Sequence, residues 1–433
     1  MEQVTGIILI ALLLVLIGSG VNIPISLCMI GLVGVMFIAG PSQGVAMLGI
    51  VPFRQVAVFN FAALPLFILM GEFAFHAGIT RDLFETASKW VGRLPGGMGM
   101  AIFLATGAFG AVSGSSMAAN VAMTRVAYPE MVRLNYDKGL TAGIISSAGA
   151  IAVLIPPSVL GIIYGMFTMT PIGKVLMAGV FPGIITGFLL GLVLLMIALV
   201  QPYRAPRGIK VSLKDKIASL KRVWSVLLLG GFVIGGIYWG IFTATEAAAT
   251  GAFGALIIGL LLGRVTWSNF AGAFLRTARI TTFIFFIMIG AFLFSRFLTL
   301  TEIGPTVTSW VGALPYPPLV ILLGLLSVYL FLGAFMDGTS MLAVTISTVF
   351  PIVIGLGYDP VWFGIVFIMM VEIGSISPPI GLSVFAVKGV LGDEVETWTI
   401  FKWAFPFWLS YIGVIAFLII SPQIALWLPA TMK

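Results

Sequence analysis

Charged residues are scarce in this sequence. Only 9% of the 433 residues are Asp, Glu, Lys or Arg, whereas 60% are hydrophobic and the mean hydropathy is +1.17. A soluble domain carries about 25% charged residues. Apolar stretches of the roughly 20 residues that a helix needs to cross a bilayer recur along the chain. The composition predicts an all-α polytopic membrane protein, and the continuous apolar runs exclude the alternating strands of a membrane β-barrel.

Cysteine and histidine each occur once. A single cysteine, Cys28, excludes an internal disulfide and a cysteine metal cluster. We interpret His76, near a predicted helix end, as a packed or interfacial residue rather than a ligand. Neither a Walker A loop nor a Gly-x-Ser-x-Gly elbow is present, which argues against an integral membrane enzyme. The net charge of +7 does not indicate nucleic-acid binding, because the basic residues lie in short loops, where they set membrane orientation.

Apolar runs predict five membrane spans in each half of the chain. The N-terminal run lacks a basic n-region and a convincing Ala-x-Ala site, so we interpret it as a retained helix. The predicted spans are 4–20, 22–39, 57–76, 138–165 and 174–200 in the first half, and 223–242, 245–263, 280–297, 360–390 and 399–421 in the second. Two more polar segments, 79–93 and 300–314, are predicted surface helices.

Two pairs of shorter apolar segments predict helical hairpins that enter and leave the membrane on one side. The first hairpin, 98–127, consists of the short segments 98–112 and 114–127, joined through AVSGSSMAAN. At about 1.5 Å per residue, neither segment spans a bilayer comfortably. The second hairpin, 317–356, has the sequence FMDGTSM between its two segments.

Four short matches recur in the same order and at nearly the same spacing in the two halves. They pair WVGRLP at 90–95 with WVGALP at 310–315, SGSSM at 113–117 with DGTSM at 337–341, NYD at 135–137 with GYD at 357–359, and Pro156-Pro157 with Pro378-Pro379. Together they predict a duplication, with residues 1–200 and 223–433 as the two copies and 201–222 as a linker. Since each copy has an odd number of crossings, the second is predicted to be inverted in the membrane.

The distribution of basic residues agrees with an inverted repeat. The linker carries seven Lys or Arg against one Asp, which predicts that it is cytoplasmic. The first hairpin is bracketed by Arg125, Arg133 and Lys138, whereas no Lys or Arg occurs between Arg296 and Lys388. We therefore expect the first hairpin to open to the cytoplasm and the second to the opposite side. Both termini would then lie outside the cytoplasm.

Two adjacent prolines interrupt a predicted span in each half. Proline removes a backbone donor and clashes with the preceding turn, so a pair ends the regular helix. Non-helical backbone at membrane depth persists only where it is buried in protein or lines a polar cavity. There it offers carbonyl oxygens to a small cation and half-helix termini to an anion. A lone proline is usually a packing kink, but a pair that recurs in both halves predicts an ion or substrate site.

Hydroxyl and glycine clusters fall at both predicted hairpin tips. The first tip is Ser113-Gly114-Ser115-Ser116, and the second tip is Asp337-Gly338-Thr339-Ser340. Glycine permits a tight turn and close approach of the backbone, and hydroxyl oxygens are suitable Na⁺ ligands. Asn120 is predicted to face the first tip, because it lies one helical turn beyond Ser116. Further oxygens come from Gly374, Ser375 and Ser377, and Ser158 and Ser383 either add to the sites or cap half-helices.

Ionisable residues within predicted spans are functional candidates, because burying a charge is costly. They are Glu72, Glu246, Asp337, Glu372 and Arg125. Asp337 could help to hold a cation at the second tip. Arg125 is either a partner for a substrate carboxylate or a positive-inside anchor, and Glu246 could be a helix N-terminal charge. Asp137 and Asp359 each precede a broken span and are predicted N-caps without a transport role.

The motif SGSSMAANVAMT, the segment LPLFILMGEF at 64–73, the paired elements IPPS and SPPI, and the inverted repeat resemble the large membrane subunit of tripartite ATP-independent periplasmic (TRAP) transporters. The resemblance covers nearly the whole chain. It implies a fold of the ion-transporter superfamily, in which a transport domain moves as an elevator against a scaffold. The segments 79–93 and 300–314 would be the arms that connect the two.

The same resemblance implies the partners and the location. The transporter would use a Na⁺ gradient in the bacterial inner membrane, together with a separate small four-helix membrane subunit and a soluble periplasmic substrate-binding protein. The substrate would be an organic acid, such as a C4-dicarboxylate or sialic acid. Neither nucleic acid nor an ATPase is expected as a partner.

Two Na⁺ sites follow from the resemblance, with substrate between the hairpin tips. The first would lie between the first tip and the break at Ala150–Pro157, with Ser113, Gly114, Ser115, Ser116, Asn120, Ala150, Val153 and Pro156. The second would lie between the second tip and the break at Gly374–Pro379, with Asp337, Gly338, Thr339, Ser340, Gly374, Ser375, Ser377 and Pro378. The substrate candidates are Ser116, Ser340 and Arg125.

Two other mechanisms remain compatible with the sequence. A channel would have a continuous pore in place of alternating access. A Na⁺-coupled carrier of the same superfamily would need no binding protein.

Overall fold

The computed structural model describes residues 2–432, which form helices joined by short connections, with no strand among them. The prediction of an all-α membrane protein is confirmed. In the first half the helices are α1 (Glu2–Gly18), α2 (Ile23–Ala39), α3 (Pro41–Val56), α4 (Ala63–His76), α5 (Ile79–Val91), α6 (Gly97–Ser113), α7 (Ser116–Arg133), α8 (Lys138–Leu154), α9 (Val159–Thr168), α10 (Ile172–Ala178) and α11 (Val180–Val200). A short 3₁₀ helix, Phe59–Ala62, precedes α4.

The second half has elements in a similar order. They are α12 (Leu213–Leu220), α13 (Trp224–Tyr238), α14 (Ala244–Leu261), α15 (Trp267–Leu300), α16 (Ile303–Gly312), α17 (Pro318–Gly333), α18 (Gly338–Gly355), α19 (Pro360–Ser375), α20 (Leu382–Leu391), α21 (Thr397–Ile420) and α22 (Gln423–Ala430), with a 3₁₀ helix at Gly392–Glu394. The hairpins are therefore α6–α7 and α17–α18. The first break, residues 155–158, separates α8 from α9, and the second break, residues 376–381, separates α19 from α20.

Several helix starts are fixed by the polar residues predicted to cap them. Asp137 accepts a hydrogen bond from the Leu140 amide at 2.9 Å, and Asp359 accepts one from the Val361 amide at 2.7 Å. Glu246 forms a capping box with Thr243 at the start of α14. These side chains satisfy amides that would otherwise lack a partner at a helix N-terminus. The N-cap predictions for Asp137 and Asp359 are confirmed, and Glu246 lies in the first turn of α14, as the interpretation of an N-terminal charge requires.

Six helices in the described residues are long and apolar enough to span a membrane by themselves. Two further pairs of consecutive helices, each bent at a short break, would raise the number of spans to eight if each pair forms one span. One bent pair is α8 with α9, whose axes differ by 48° across the first break. Helices α1, α2 and α19 coincide with predicted spans but have only 16 or 17 residues. At about 1.5 Å per residue they extend roughly 25 Å, slightly less than the hydrocarbon core.

Some predicted boundaries are wrong. The span predicted at 280–297 belongs to α15, whose 34 residues begin at Trp267. Arg276 and Arg279 interrupt the run of apolar residues but not the backbone hydrogen bonds of the helix. A prediction based on apolar residues alone therefore gives too short a helix. For the same reason α7 continues through Arg125 and Arg133 to 18 residues, beyond the predicted end at 127. The shortness that suggested a re-entrant first hairpin therefore does not hold for this helix.

Further helices lie where the sequence predicted none. They are α3, α12 within the basic linker, and α22 at the C-terminal end. α3 is largely exposed, with Phe53 75% exposed, and its proline at position 52 does not end it. All three helices adjoin an apolar span, and they were not predicted because the search for spans treated the residues between spans as connections.

Helices α8 and α19 form the centre of the molecule. Every residue of α8 from Gly139 to Leu154 is buried, as is every residue of α19 from Val361 to Ser375. The two hairpins, α20 and α21 pack around them, while α2, α4, α14 and α15 form a second group. Small residues make the close packing possible, since α8 consists largely of Gly, Ala and Ser. The central helices thus position the first break inside the protein, whereas residues 378–380 of the second break are exposed.

Ion pairs attach the connections to the helices. In the linker, the Arg204 Nη1 atom lies 2.5 Å from the Asp137 Oδ2 atom, and the Arg222 Nη1 atom lies 2.7 Å from the Glu85 Oε2 atom of α5. On the other group of helices, Arg276 of α15 lies 2.7 Å from Glu72 of α4. A partly exposed pair of this kind contributes at most about 1 kcal/mol, so these contacts orient the elements more than they stabilise them.

Candidate functional site

The first tip lies directly against the first break. The Val159 amide donates to the Gly114 carbonyl at 3.1 Å. Gly114 has a φ of +62°, and a Cβ at this position would lie 2.1 Å from the Pro157 carbonyl oxygen. Neither the left-handed backbone nor this approach tolerates a side chain. The structure therefore brings together the Ser/Gly cluster and the proline pair that the sequence associated.

Gly114→Ala is expected to loosen this contact. The left-handed conformation costs alanine about 1–2 kcal/mol, and the methyl group would also overlap the Pro157 carbonyl. We expect a loss of about 2 kcal/mol or more of local stability, measured as a lower midpoint of thermal unfolding in nanodiscs. Gly191→Ala is the control, because a methyl group there meets nothing within 4 Å. Equal midpoints for the two variants would contradict the close approach.

Buried oxygen atoms that have no partner among the described residues occur in the first tip and on the adjoining helices α7 and α8. Asn120 is fully buried; its Nδ2 donates to the Ser146 carbonyl at 3.2 Å, and its Oδ1 has no partner among the described residues. The hydroxyls of Ser113 and Ser147 are likewise buried without a partner in this part of the chain. A buried polar atom left unpaired costs about 1–3 kcal/mol. Such oxygens would gain most from a bound cation.

The predicted residues of the first Na⁺ site occupy one region. Ser116 and Asn120 both lie against Gly149 of α8, since a Cβ built on Gly149 would be 2.9 Å from the Ser116 Cβ and from the Asn120 amide. Ala150 and Val153 follow on the same buried helix, and Pro156 is buried in the first break. Ser115 instead caps α7 by accepting a hydrogen bond from the Ala118 amide at 3.3 Å.

The end of α17, just before the second tip, lies against the second break in a related way. The Ala334 carbonyl accepts hydrogen bonds from the amides of Ile380 at 3.3 Å and Gly381 at 3.4 Å. Gly374 contacts the end of α17 so closely that a Cβ would lie 2.5 Å from the Gly333 Cα. Pro378, in contrast to the buried Pro156, is exposed. It lines an apolar cavity of about 630 Å³ that Lys402 and Trp408 also border.

Side chains at the second tip are already engaged with one another. Asp337 caps α18, accepting from the amides of Thr339 at 3.0 Å and Ser340 at 3.1 Å, and the Ser340 hydroxyl donates to its second oxygen. Ser375 donates to the Glu372 carbonyl at 2.8 Å and Ser377 to the Ile373 carbonyl at 2.7 Å. A hydroxyl that donates its proton keeps lone pairs for a cation. Because the Ser377 hydroxyl also accepts a hydrogen bond from the Trp408 indole nitrogen at 3.1 Å, one lone pair remains on it for a further ligand.

The caps at the breaks differ between the halves. Ser158 accepts from the Gly161 amide at 3.0 Å and is the N-cap of α9. The N-cap of α20 is Gly381, and Ser383 lies 3.0 Å from the Ser375 hydroxyl instead. Ser158 is thus a cap, whereas Ser383 belongs to the polar cluster of the second break.

The two tips approach each other at the start of α9. Gly114 of the first tip is hydrogen-bonded to Val159. Gly338 of the second tip packs against the next residue, since a Cβ built on it would lie 2.8 Å from the Leu160 side chain and 2.7 Å from that of Val371. Val159 also borders a cavity of about 320 Å³ between the hairpin α6–α7 and helices α4 and α15. This volume is at the lower end of the range of small-molecule sites.

Polar groups converge on the cavity from both sides. Ser115 and Arg125 line it from one face of α7, and Glu72 and Arg276 line it from α4 and α15. The Arg276 guanidinium is paired with Glu72 and also contacts His76, whereas no carboxylate pairs with Arg125 among the described residues. Of the three substrate candidates, only Arg125 lines this cavity; Ser116 and Ser340 do not. Sequence reasoning missed Arg276, because its partners lie in the other half of the chain.

A comparison with known families decides the class of protein. Residues 9–424 match the family described as "Tripartite ATP-independent periplasmic transporter, DctM component". The chain belongs to the TRAP transporter large permeases. The permease is therefore a multi-pass inner-membrane subunit of a transporter that depends on a periplasmic binding protein.

Relatives of the permease differ in the substrates for which they are named. The C4-dicarboxylate TRAP transporter large permease protein DctM of Pseudomonas aeruginosa is 36% identical over 81% of this chain and 82% of its own length. The sialic acid TRAP transporter large permease protein SiaM of Vibrio cholerae is 29% identical over 86% of each chain. Both names describe permeases rather than enzymes.

The fold is also found in a solved transporter structure. The Alcanivorax borkumensis YdaH transporter superposes with a TM-score of 0.62, covering 90% of each chain at 15% identity. This likeness concerns the permease's fold alone.

Proposed function

We propose that the permease is a Na⁺-coupled symporter subunit that imports an organic acid by an elevator movement. The observation that carries the proposal is the contact of the hydroxyl-rich first tip with the first break, and of the end of α17 beside the second tip with the second break. Buried oxygens without a partner among the described residues accompany the first tip. Carbonyl, hydroxyl and amide oxygens are the ligands expected for a small hard cation at an unwound helix. The first Na⁺ would bind near Ser116 and Asn120, and the second near Thr339 and Ser375.

The substrate is proposed to bind in the cavity beside the first tip. A carboxylate there would meet the Arg125 guanidinium, which can bind it through two parallel hydrogen bonds. The start of α9, which borders the cavity at Val159, adds the partial positive charge of a helix N-terminus. The relatives' names suggest a C4-dicarboxylate or sialic acid as the class of substrate.

The packing supports a division into a moving and a fixed part. The hairpins, α8, α9 and α19 to α21 pack mainly with one another, as do α2, α4, α14 and α15, and contacts of α4 with α6 and of α15 with α18 join the two groups. The cavity lies between these groups, and α5 and α16 connect them along the chain. In the proposed cycle, the first group carries Na⁺ and substrate past the second group.

Transport assays in proteoliposomes test this function. The permease would be reconstituted with its small membrane subunit, and uptake of labelled C4-dicarboxylates and sialic acid measured with and without an inward Na⁺ gradient and the binding protein. We expect saturable uptake that needs both. Uptake without the binding protein would identify a self-sufficient carrier, and flux without saturation or counterflow would identify a channel.

The proposed topology predicts opposite accessibility of the linker and the C-terminal end. In a Cys28→Ser background, Thr431→Cys should react with an impermeant thiol reagent applied to the periplasmic side. Ser212→Cys should react only after the membrane is opened. Both positions are exposed, so burial does not affect the comparison. The reverse pattern would overturn the inverted orientation.

A further inference from the structure

We infer that Glu372, from the second half of the chain, supplies the negative charge that balances a cation bound at the first tip. The inference rests on the proposed Na⁺ coupling and adds to it a residue that none of the predicted first-site positions includes. It makes the first Na⁺ site a joint product of the two halves.

Glu372 is unusual for its burial. It is 3% exposed and lies near the C-terminal end of α19, whose residues from Val361 to Ser375 are all buried. No Lys, Arg or His forms an ion pair with it within residues 2–432. A carboxylate at such a position is costly unless a cation accompanies it, and ionisable groups inside membranes are accordingly functional by default.

The contacts of Glu372 lead to the first tip rather than the second. The Ser116 hydroxyl lies close enough to the Glu372 carboxylate to interact with it. Tyr411 of α21 lies close enough to interact with the carboxylate charge, and its own hydroxyl donates to the Ser147 carbonyl of α8. Ser116 lies against Gly149 of α8, which is two residues from Ser147 along the same helix. The carboxylate therefore borders the oxygens proposed as first-site ligands.

An independent observation places a ligand in the same region. Asn120 is fully buried, and its Oδ1 has no partner among the described residues although its Nδ2 is bonded to Ser146. The Asn120 amide and the Ser116 Cβ both pack against Gly149 of α8. A cation bound by these neutral oxygens would keep its full charge in a region that excludes water. The nearby carboxylate compensates that charge, because electrostatic attraction is strong at low dielectric.

The location of Glu372 also connects the two proposed sites. It precedes Gly374 and Ser375 on α19, and the Ser375 hydroxyl donates to its main-chain carbonyl at 2.8 Å. Occupation of the first site therefore acts directly on the helix that ends at the second break. A first Na⁺ site formed only by neutral oxygens of the first half would not involve α19 of the second half.

Na⁺ binding to the purified complex tests the inference. The midpoint of thermal unfolding in nanodiscs would be followed as NaCl replaces choline chloride at constant ionic strength. Glu372→Gln keeps the size and hydrogen-bonding ability of the side chain and removes only its charge. We expect it to weaken the apparent Na⁺ affinity about tenfold or more, while its midpoint without Na⁺ is equal to or above that of the wild type. Glu372→Asp should recover part of the affinity.

The control is Glu246→Gln, since Gln can still cap the exposed start of α14. Wild-type Na⁺ affinity in Glu372→Gln would overturn the inference and leave the proposed function intact. A wild-type complex that Na⁺ does not stabilise would instead contradict the Na⁺ coupling itself. If Glu372→Gln does not fold, the neutral and similarly long Glu372→Met replaces it, and wild-type Na⁺ affinity in that variant would overturn the inference.

Discussion

Ser115→Leu is expected to abolish Na⁺-driven uptake while the protein remains folded in the membrane. Ser115 lies at the first tip, borders the cavity of about 320 Å³ and caps α7. A leucine would fill the space beside the tip and place an apolar group where oxygen ligands are needed. The lost cap costs only about 1 kcal/mol, so the expected loss of transport, about a hundredfold or more, cannot arise from stability.

The chain offers a matched control for this substitution. Ser212 caps α12 in the linker by the same geometry, accepting from the Asp215 amide at 3.1 Å. Ser212→Leu loses an equivalent hydrogen bond far from the tip and should transport normally. Initial uptake rates, normalised to protein in the membrane, provide the measurement. Equal rates for the two variants would remove the first tip from the mechanism. Thr339→Leu should resemble Ser115→Leu if the second tip acts in the same way.

Arg125→Ala is expected to raise the KM for an organic acid by about 10–100-fold. A charge-assisted hydrogen bond to a carboxylate contributes about 1.5–3 kcal/mol, and Arg125 lines the cavity without a carboxylate partner among the described residues. Because the arginine binds substrate rather than Na⁺, the Na⁺ dependence of uptake should change little. The measurement is uptake against substrate concentration at saturating Na⁺.

Arg133→Ala is the matched control for Arg125→Ala. Arg133 lies on the same helix, is 70% exposed, and pairs with Glu130 at 2.6 Å. Its removal takes away one positive charge near the hairpin without touching the cavity. If both variants raise the KM equally, Arg125 acts through membrane orientation or general charge, and the anchor interpretation is correct.

Short-range features of the sequence were sufficient to predict the helix breaks and the residues at several helix N-termini. The proline pairs marked both breaks, because two missing backbone donors interrupt a helix whatever surrounds it. Asp137, Asp359 and Glu246 were recognised as N-terminal residues, because capping involves only the next few amides. Boundaries were predicted less well: Arg276 is polar but lies well inside α15.

The sequence by itself determined that this is a helical membrane protein of the TRAP permease family, where its helices break, and which tips carry hydroxyl groups. These properties depend on composition and on neighbours in the chain. Only the tertiary structure decided that Arg276 pairs with Glu72, that Ser340 lies outside the cavity that Arg125 lines, and that Glu372 reaches Ser116. Glu372 and Ser116 lie in different halves of the chain, and no periodicity or spacing encodes such a contact. It exists because α8 and α19 pack together at the centre of the protein and bring one half's carboxylate to the other half's hydroxyl.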